Sequence, residues 1–162
     1  MITAKSDPVF GCVYKMSAVE EGDVCIPRIK VSETFEKITN PGRKNVYRVY
    51  DVEGHAIADL LTKAGEEPDF SKPYQYVDPH KPWKKRSFID CRIKSLQKLI
   101  IKDGKLVEKL PSLKQIRDFV KYQLEHEIWP EEQRFENPHK HYLDMSPEYY
   151  ALKNGLLCQN KF

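Results

Sequence analysis

The sequence predicts an α+β fold, with strands in the first two-thirds of the chain and two helices in the last third. Short runs of alternating apolar and polar residues recur before residue 110, as expected of strands with one polar face. Two helix-start signals follow, and no β-α-β alternation is visible. We therefore expect mostly antiparallel strands and hairpins, followed by two C-terminal helices.

The strand candidates are separated by turn signals. Pro41-Gly42 precedes one alternating run, and Glu53-Gly54 separates it from a second, which together predict an antiparallel hairpin. Asp103-Gly104 predicts a second, tighter hairpin, because an Asp-Gly pair suits a two-residue turn. The predicted strands cover residues 9–16, 26–32, 45–51, 55–61, 74–77 and 92–101, with 106–107 returning from the second turn.

The first helix is predicted to begin after Ser112. Gln115 lies three residues on and completes a capping box, in which each side chain satisfies the other residue's backbone N–H. Trp129-Pro130 is predicted to stop or kink this helix, because proline lacks a backbone donor. Four apolar residues fall on one face at helical spacing: Leu113, Ile116, Val120 and Leu124.

The second helix is predicted to begin at Ser146-Pro147-Glu148. This sequence combines an N-cap residue, proline at the first helical position and an acid near the positive end of the helix dipole. The residues expected to face the core are Tyr149, Leu152 and Leu156, with Leu157 as a further candidate.

Length and composition limit the function classes. The chain has 162 residues and 40% hydrophobic content, which suits one domain or one domain with a short appendage. No apolar run approaches the ~20 residues of a membrane-spanning helix, and a formal net charge of +3 does not imply a nucleic-acid partner. The four cysteines lie far apart, and the N-terminus lacks an apolar signal region. We therefore expect reduced thiols in a cytoplasmic protein.

No motif identifies a catalytic centre by itself. His126, His139 and His141 lie near Asp144, and such groups can bind a metal or move protons. Their spacing fits no metal motif, so polar surface histidines are the favoured interpretation. The acidic residues Glu131, Glu132 and Glu136 are likewise interpreted as surface charge.

Two groups of basic residues have a functional and a structural interpretation. Trp83 lies among Lys81, Lys84, Lys85 and Arg86, which could stack a base and hold phosphate. A solvated turn whose tryptophan covers an apolar edge is the favoured alternative, because the overall charge balance is ordinary. A second group could face an anionic ligand or simply lie in water: Lys5, Lys15, Arg28 and Lys30.

Several segments resemble nicotinate phosphoribosyltransferases. Residues 8–16 resemble that family's Pro-x-Leu-Gly-Gly-Val-Tyr-Lys-Leu segment, and residues 27–32 resemble its Pro-Arg-x-Lys-Leu-Ser stretch. Residues 36–48 are similar to the family's next strand, and residues 110–117 to its Leu-Pro-Ser-Leu-x-Glu-Ile-Arg helix start. Residues 129–131 and 134–139 are similar to its closing elements. These matches occur in the family's order and span nearly the whole chain.

The resemblance implies an enzyme of NAD biosynthesis, a transferase. Family members join nicotinate to 5-phosphoribosyl 1-diphosphate, giving nicotinate mononucleotide and diphosphate, with help from ATP and Mg²⁺. The implied fold is a type II phosphoribosyltransferase α/β barrel on which the present α+β part packs. By this alignment the phosphorylated histidine, the nicotinate-binding arginine and the Gly-Thr phosphate loop all lie upstream of Met1.

The resemblance therefore implies an accessory part that is not catalytically competent alone and binds no cofactor alone. Residues 1–16 would be the end of the last barrel strand region and residues 17–162 the accessory domain. Without the rest of the barrel, residues 1–16 would lack neighbouring strands. They are therefore expected to be disordered, to be covered through dimerisation, or to be prone to aggregation. The implied partner is the N-terminal barrel portion, and a homodimer is compatible with the resemblance; nucleic acid and membrane are not expected. The alternative is a standalone binding or interaction module derived from the same domain.

Three residues are the best candidates for the vicinity of the substrate phosphates in an intact enzyme. They are Thr3, Gly11 and Lys15, which lie close to the family's phosphate loop in the aligned chain. Cys12 stands where the family has a second glycine, and its Cβ and sulfur restrict the close backbone approach that glycine allows. No catalytic residue and no metal ligand is predicted within the chain.

Overall fold

A computed structural model describes residues 13–69, 71 and 73–159 of the protein. It is an α+β structure, as predicted, with a six-stranded sheet, two two-stranded sheets, a short 3-10 helix and two α-helices. The strands are β1 (Ala18–Glu21), β2 (Val24–Pro27), β3 (Lys44–Tyr50), β4 (Ala56–Lys63), β5 (Tyr74–Val77), β6 (Lys85–Phe88), β7 (Arg92–Ser95), β8 (Ile101–Lys102), β9 (Lys105–Leu106) and β10 (Leu143–Met145). The 3-10 helix is Phe35–Lys37, and the α-helices are α1 (Leu113–His126) and α2 (Pro147–Gln159).

The hairpin β3–β4 forms the centre of the large sheet and confirms the first predicted hairpin. The two strands are antiparallel, with Val46 opposite Leu61 and Arg48 opposite Asp59. Gly54 lies in the connecting turn at a φ of +94°, a conformation that a side chain would strain. β7 pairs with the outer edge of β3, so the predicted run 92–101 forms its strand only over its first four residues.

The strand β10 was not predicted, and it joins two halves of the large sheet. The strand order is β6-β5-β10-β4-β3-β7, so β10 lies between two hairpins. It pairs in parallel with β4 and antiparallel with β5. The sheet is therefore mixed, although the expected antiparallel pairing holds for its other contacts. A three-residue strand with a central aspartate gives almost no alternation signal, which is why sequence patterning does not find it.

The sheet buries apolar side chains on both faces, because successive residues of a strand point to opposite sides. One buried cluster contains Val49, Ala58, Leu60, Tyr76 and Phe88. The other contains Leu61 and Met145, against which α2 packs through Tyr149. The Tyr149 hydroxyl donates to the backbone oxygen of Pro41 at 2.9 Å, which fixes α2 on this face.

One small sheet, β1–β2, precedes the strands of the large sheet in the sequence, and the other, β8–β9, lies between β7 and α1. Asp103 and Gly104 both have positive φ, as a tight Asp-Gly turn requires, so the predicted β8–β9 hairpin is confirmed. β2 pairs with β1, a strand that was not predicted, and it ends at Pro27 instead of reaching residue 32. Residues 13–16 are irregular and exposed, so the predicted strand is wrong there, and residues 9–12 lie outside the described residues.

Both predicted helix starts are confirmed. The Ser112 side chain accepts from the backbone N–H of Gln115, and the Gln115 side chain accepts from the backbone N–H of Ser112. The Ser146 hydroxyl oxygen accepts from the backbone N–H of Tyr149 at 3.1 Å and caps α2. α1 ends at His126, three residues before Trp129. Along the predicted core face of α2, Tyr149 is buried, whereas Leu152, Leu156 and Leu157 are half-buried.

A buried ion pair ties β6 to β10 across β5. The Asp144 side chain is fully buried, and both of its oxygens accept from the Arg86 guanidinium at 2.6 and 2.7 Å. The same guanidinium lies 3.7 Å above the centre of the Tyr142 ring. A bidentate pair of this kind compensates the cost of burying a carboxylate, so removing one partner leaves an unpaired buried charge.

Replacing Arg86 with methionine is expected to lower the free energy of unfolding by about 3–5 kcal/mol, because it leaves the Asp144 carboxylate unpaired in the sheet. Lys85 is exposed on the same strand, so Lys85→Met should change that free energy by less than about 0.5 kcal/mol. Urea unfolding followed by circular dichroism measures both variants. If Arg86→Met and Lys85→Met lowered the free energy of unfolding equally, the Arg86–Asp144 ion pair would not be what holds the sheet together.

Candidate functional site

Lys15 lies in an open pocket at the N-terminal end of the described chain. Its Nζ donates to the backbone oxygen of Lys37 at 2.6 Å. The pocket has a volume of about 700 Å³, and Arg28, Lys30 and Lys37 line it as well. Three of the four basic residues proposed to face an anion are thus within the described chain and share one surface. Thr3, Gly11, Lys5 and Cys12 lie outside the described residues.

A network of four charged side chains lies beside the β3–β4 hairpin. Arg48 donates two hydrogen bonds to the Asp59 carboxylate, at 2.8 and 3.0 Å. His141 lies between two acids, with its Nε2 3.4 Å from an Asp59 oxygen and its Nδ1 3.2 Å from both oxygens of Glu132. The segment before β10 brings His141 here, because the Asp59 N–H donates to the Tyr142 carbonyl at 2.9 Å.

The network shifts the pKa values of two of its members. The interaction with the Asp59 carboxylate raises the pKa of His141 above its usual 6.5 and outweighs the opposing effect of burial, and Glu132 adds a smaller contribution in the same direction. Burial raises the pKa of Asp59, but hydrogen bonds from His141 and Arg48 outweigh it and bring that pKa to about 2. Both shifts favour the charged forms of His141 and Asp59, which favours an ionic bond over proton transfer between the two.

The surface interpretation is wrong for His141 and Glu132. The side chains of His141 and Glu132 are 26% and 10% exposed, and they form an ion pair with each other. Their partner Asp59 lies 82 positions away from His141 in the chain, and β10 was not predicted, so no local pattern pointed to this network. The three histidines do not come together at a metal site: His126 packs edge-on against Tyr122, and His139 against Tyr142.

The basic group around Trp83 forms the β5–β6 turn. Trp83 is 76% exposed, so it does not cover an apolar edge as the favoured interpretation expected. Lys81, Lys84 and Arg86 line a pocket of about 250 Å³ together with the segment that leads into β10. The turn is thus solvated, and it also contributes to a concave basic surface.

One group of side chains in the described part of the chain has the composition of a cation site. Asp51, Glu53 and His55 place their ligand atoms within 4.8 Å of one another in the β3–β4 turn. One Asp51 oxygen accepts from the backbone N–H groups of Glu53 and His55, and His55 stacks on Trp129 at 4.0 Å. Two of the three groups are carboxylates, which suit Mg²⁺, but the third is an imidazole stacked on Trp129, so the set does not provide the all-oxygen coordination that Mg²⁺ prefers. No step of a reaction is assigned to it.

The helix α1 presents its apolar stripe to solvent. None of its residues is buried: Leu113 is 80% exposed and Ile116 is 43% exposed, with Phe119, Val120 and Leu124 between these values. The preceding β8–β9 hairpin also exposes apolar side chains, namely Leu99, Ile101, Leu106, Val107 and Leu110. We call the α1 residues Leu113, Ile116, Phe119, Val120 and Leu124 the α1 stripe. An amphipathic helix of this kind normally buries such a stripe against another element.

Comparison with known proteins gives the family to which this domain belongs. Residues 43–153, which include α1 and the whole large sheet, match the family model "Nicotinate phosphoribosyltransferase C-terminal domain". The chain belongs to the nicotinate phosphoribosyltransferase family. The resemblance found in the sequence is therefore confirmed, and the described fold corresponds to the C-terminal domain of that family.

Individual relatives agree with this assignment. The nicotinate phosphoribosyltransferase of Caenorhabditis elegans is 31% identical over 99% of this chain, and that of Bacillus subtilis is 30% identical over 94%. The crystal structure of human nicotinic acid phosphoribosyltransferase matches 72% of the chain with a TM-score of 0.66 and 26% identity. The chain spans 28% and 31% of the two relatives and 23% of the human chain.

None of the helices in the described residues has the length and apolar character needed to cross a membrane. This agrees with the sequence, in which no apolar run of that length occurs.

Replacing His141 with glutamine should remove a pH-dependent part of the stability. A raised pKa means that folding favours the protonated imidazole, so this contribution is present below pH ~6.5 and is lost as the pH rises through the raised pKa. The free energies of unfolding of wild type and His141→Gln should therefore differ most below pH ~6.5 and converge as the pH rises above the raised pKa of His141. Urea unfolding at several pH values on both sides of this transition measures the difference in the free energy of unfolding between wild type and His141→Gln.

His139→Gln provides the control, because the His139 side chain is exposed and only touches the edge of Tyr142. Its curve should run parallel to that of wild type. A gap between wild type and His141→Gln that stays constant from low to high pH would contradict the assigned charge of His141.

Proposed function

We propose that the chain is the C-terminal, accessory part of a nicotinate phosphoribosyltransferase that acts in the cytoplasm. That enzyme would join nicotinate to 5-phosphoribosyl 1-diphosphate, assisted by ATP and Mg²⁺, and would release nicotinate mononucleotide and diphosphate. In this proposal the N-terminal region that the relatives carry supplies the catalytic groups and binds both cofactors. The present residues stabilise that region and are inactive without it.

The exposed α1 stripe carries this proposal. A 14-residue helix is marginal by itself in water, and the part of the chain that the structure describes buries none of its residues. The family match runs through this helix, so the helix is a regular part of the family's domain and not an appendage. The simplest cover for the stripe is the remainder of the enzyme, which makes up more than two-thirds of the relatives' length.

The first test is a turnover assay with nicotinate, 5-phosphoribosyl 1-diphosphate, ATP and Mg²⁺. The chain alone should be inactive. The N-terminal region of the Bacillus subtilis relative should gain activity when this chain is added, or when this chain is fused to it in place of its own C-terminal domain. Activity of the chain alone would contradict an accessory role. A folded but inactive fusion would favour a standalone binding module.

Matched variants of α1 separate the stripe from the rest of the helix. Ile116→Gln/Val120→Gln removes two apolar side chains from the stripe and should weaken association by about tenfold or more, since each buried side chain contributes about 1 kcal/mol or more. Lys114→Gln/Lys121→Gln makes the same replacement at two exposed lysines and should change affinity less than about twofold. Equal effects would show that the stripe is not the contact surface.

The same proposal places the Lys15 pocket near the substrate phosphates. Lys15, Arg28, Lys30 and Lys37 line this pocket, and several cations on one surface suit an anionic substrate. Thr3 and Gly11 belong to the same hypothesis on the strength of the alignment alone.

In the reconstituted enzyme, Lys15→Ala should raise the Michaelis constant for 5-phosphoribosyl 1-diphosphate several-fold, while the constant for nicotinate stays unchanged. The ammonium group would then contribute a charge-assisted contact to phosphate. Lys102→Ala, at an exposed position on β8, is the control and should alter neither constant. An unchanged constant for the phosphoribosyl donor in Lys15→Ala would remove Lys15 from the site.

A further inference from the structure

A second basic pocket lies far from Lys15 in the sequence, and neither the family match nor the proposed reaction assigns it a role. It has a volume of about 250 Å³ and lies between the β5–β6 turn and the segment that enters β10. Lys81 and Lys84 line it from the turn, and Lys140 lines it from the other segment. The insertion of β10 beside β5 brings these two segments together.

The turn that holds two of these lysines is closed by backbone and carboxylate hydrogen bonds. One Asp78 oxygen accepts from the backbone N–H groups of His80 and Lys81, at 2.8 and 3.1 Å. The Lys84 N–H donates to the Lys81 carbonyl at 2.7 Å, and the Asp78 N–H donates to the Lys84 carbonyl at 3.3 Å. The positions of the two lysine Cα atoms are therefore fixed, although their side chains stay in solvent.

The wall of the pocket is also held in place. Arg86 is engaged by both oxygens of buried Asp144 and lies over the Tyr142 ring. His141 is held between Asp59 and Glu132. The charges of Arg86 and His141 are thus compensated behind the pocket by acids of the domain itself.

The charges of the three lysines that line the pocket are not compensated by acids in this way. Among the described residues, no carboxylate forms an ion pair with the Nζ atom of Lys81, Lys84 or Lys140. Asp78 is the acid that lines the pocket, and one of its oxygens is used by the backbone of the turn. Three lysines therefore line the same small concave surface as one carboxylate. A bound anion would relieve their mutual repulsion.

We propose that this pocket binds the phosphate group of a small phosphorylated anion. Lysine holds phosphate as a point charge, and three lysines around one concavity can reach several oxygens of one group. The pocket is smaller than the roughly 300–1,000 Å³ typical of sites for drug-sized ligands, which favours phosphate, diphosphate or the phosphate end of a nucleotide. A nucleic-acid strand would need a longer basic track, and the net charge of the chain is only +3.

The test uses the full chain and isothermal titration calorimetry with inorganic phosphate, diphosphate and adenosine monophosphate at low ionic strength. Because each of the three lysines can form a charge-assisted hydrogen bond to the anion, a dissociation constant of about 0.1–1 mM is expected for diphosphate. The affinity should fall as salt is added, since the lysines are exposed. Tighter binding of adenosine monophosphate than of phosphate, lost in Trp83→Ala, would identify a nucleotide as the source of the phosphate.

Two triple variants distinguish the pocket from general basic charge. Lys81→Ala/Lys84→Ala/Lys140→Ala should weaken diphosphate binding at least tenfold. Lys94→Ala/Lys98→Ala/Lys102→Ala removes the same number of charges from β7, β8 and the segment between them and should leave binding within about twofold of wild type. Loss of diphosphate binding in the first triple variant, together with retained binding in the second, would support this pocket as the binding site.

Nuclear magnetic resonance of wild type keeps the proposal testable if the first triple variant does not fold. Diphosphate should shift the backbone amide signals of residues 80, 81, 83, 84 and 140–142 and leave those of residues 94–102 in place. No heat and no shift at about 10 mM diphosphate, equal losses in both triple variants, or shifts confined to other residues would overturn the proposal. Preferential binding of a single-stranded oligonucleotide with a steep salt dependence would also overturn it. None of these outcomes depends on the turnover assay, because the chain is titrated alone.

Discussion

The large sheet depends on the insertion of one short strand, β10, between two hairpins. Without it, β5–β6 and the β3–β4–β7 group would have no shared hydrogen bonds. The strand is only Leu143–Met145, and its central residue is a fully buried aspartate. A carboxylate is costly to bury, so the insertion requires the Arg86 guanidinium to meet it across β5. This pair couples the position of β10 to that of β6.

The residues on either side of β10 follow from its position. Before the strand, His141 reaches the Arg48–Asp59 pair, and Tyr142 supports the guanidinium of Arg86. After the strand, Ser146 caps α2 and directs Tyr149 onto the sheet. One segment of about ten residues thus closes the sheet, forms one wall of the basic pocket and begins the last helix. Changes in this segment are expected to affect stability and the pocket together.

Local signals in the sequence were sufficient for the elements that depend on local chemistry. The β3–β4 hairpin, the Asp-Gly turn of β8–β9 and both helix caps were predicted from neighbouring residues alone, and the structure confirms them. Residues 74–77 were also found, because their short apolar run lies between turn signals. The strands β1, β6 and β10 were missed, since each is three or four residues long and carries charged or polar side chains.

The candidate sites were harder to predict than the fold because they depend on contacts between distant segments. The ion pair of His141 with Asp59 and the approach of Lys140 to Lys81 both require β10, so sequence spacing gave no sign of either. The periodicity of α1 identified an apolar stripe correctly, but periodicity does not say which element covers it. Within the described residues that stripe is uncovered, and the family match includes the helix that carries it.

Hydrogen exchange of the α1 amides tests the central claim most directly, since it reports whether this helix is supported by other parts of the protein. The comparison is between the chain alone and the chain fused to the N-terminal region of a relative. We expect weak protection of the amides of Ile116, Val120 and Leu124 in the chain alone and strong protection in the fusion, with the amides of β4 protected in both. If α1 is as protected as β4 in the chain alone, or gains nothing in the fusion, the stripe is not the surface that meets the rest of the enzyme.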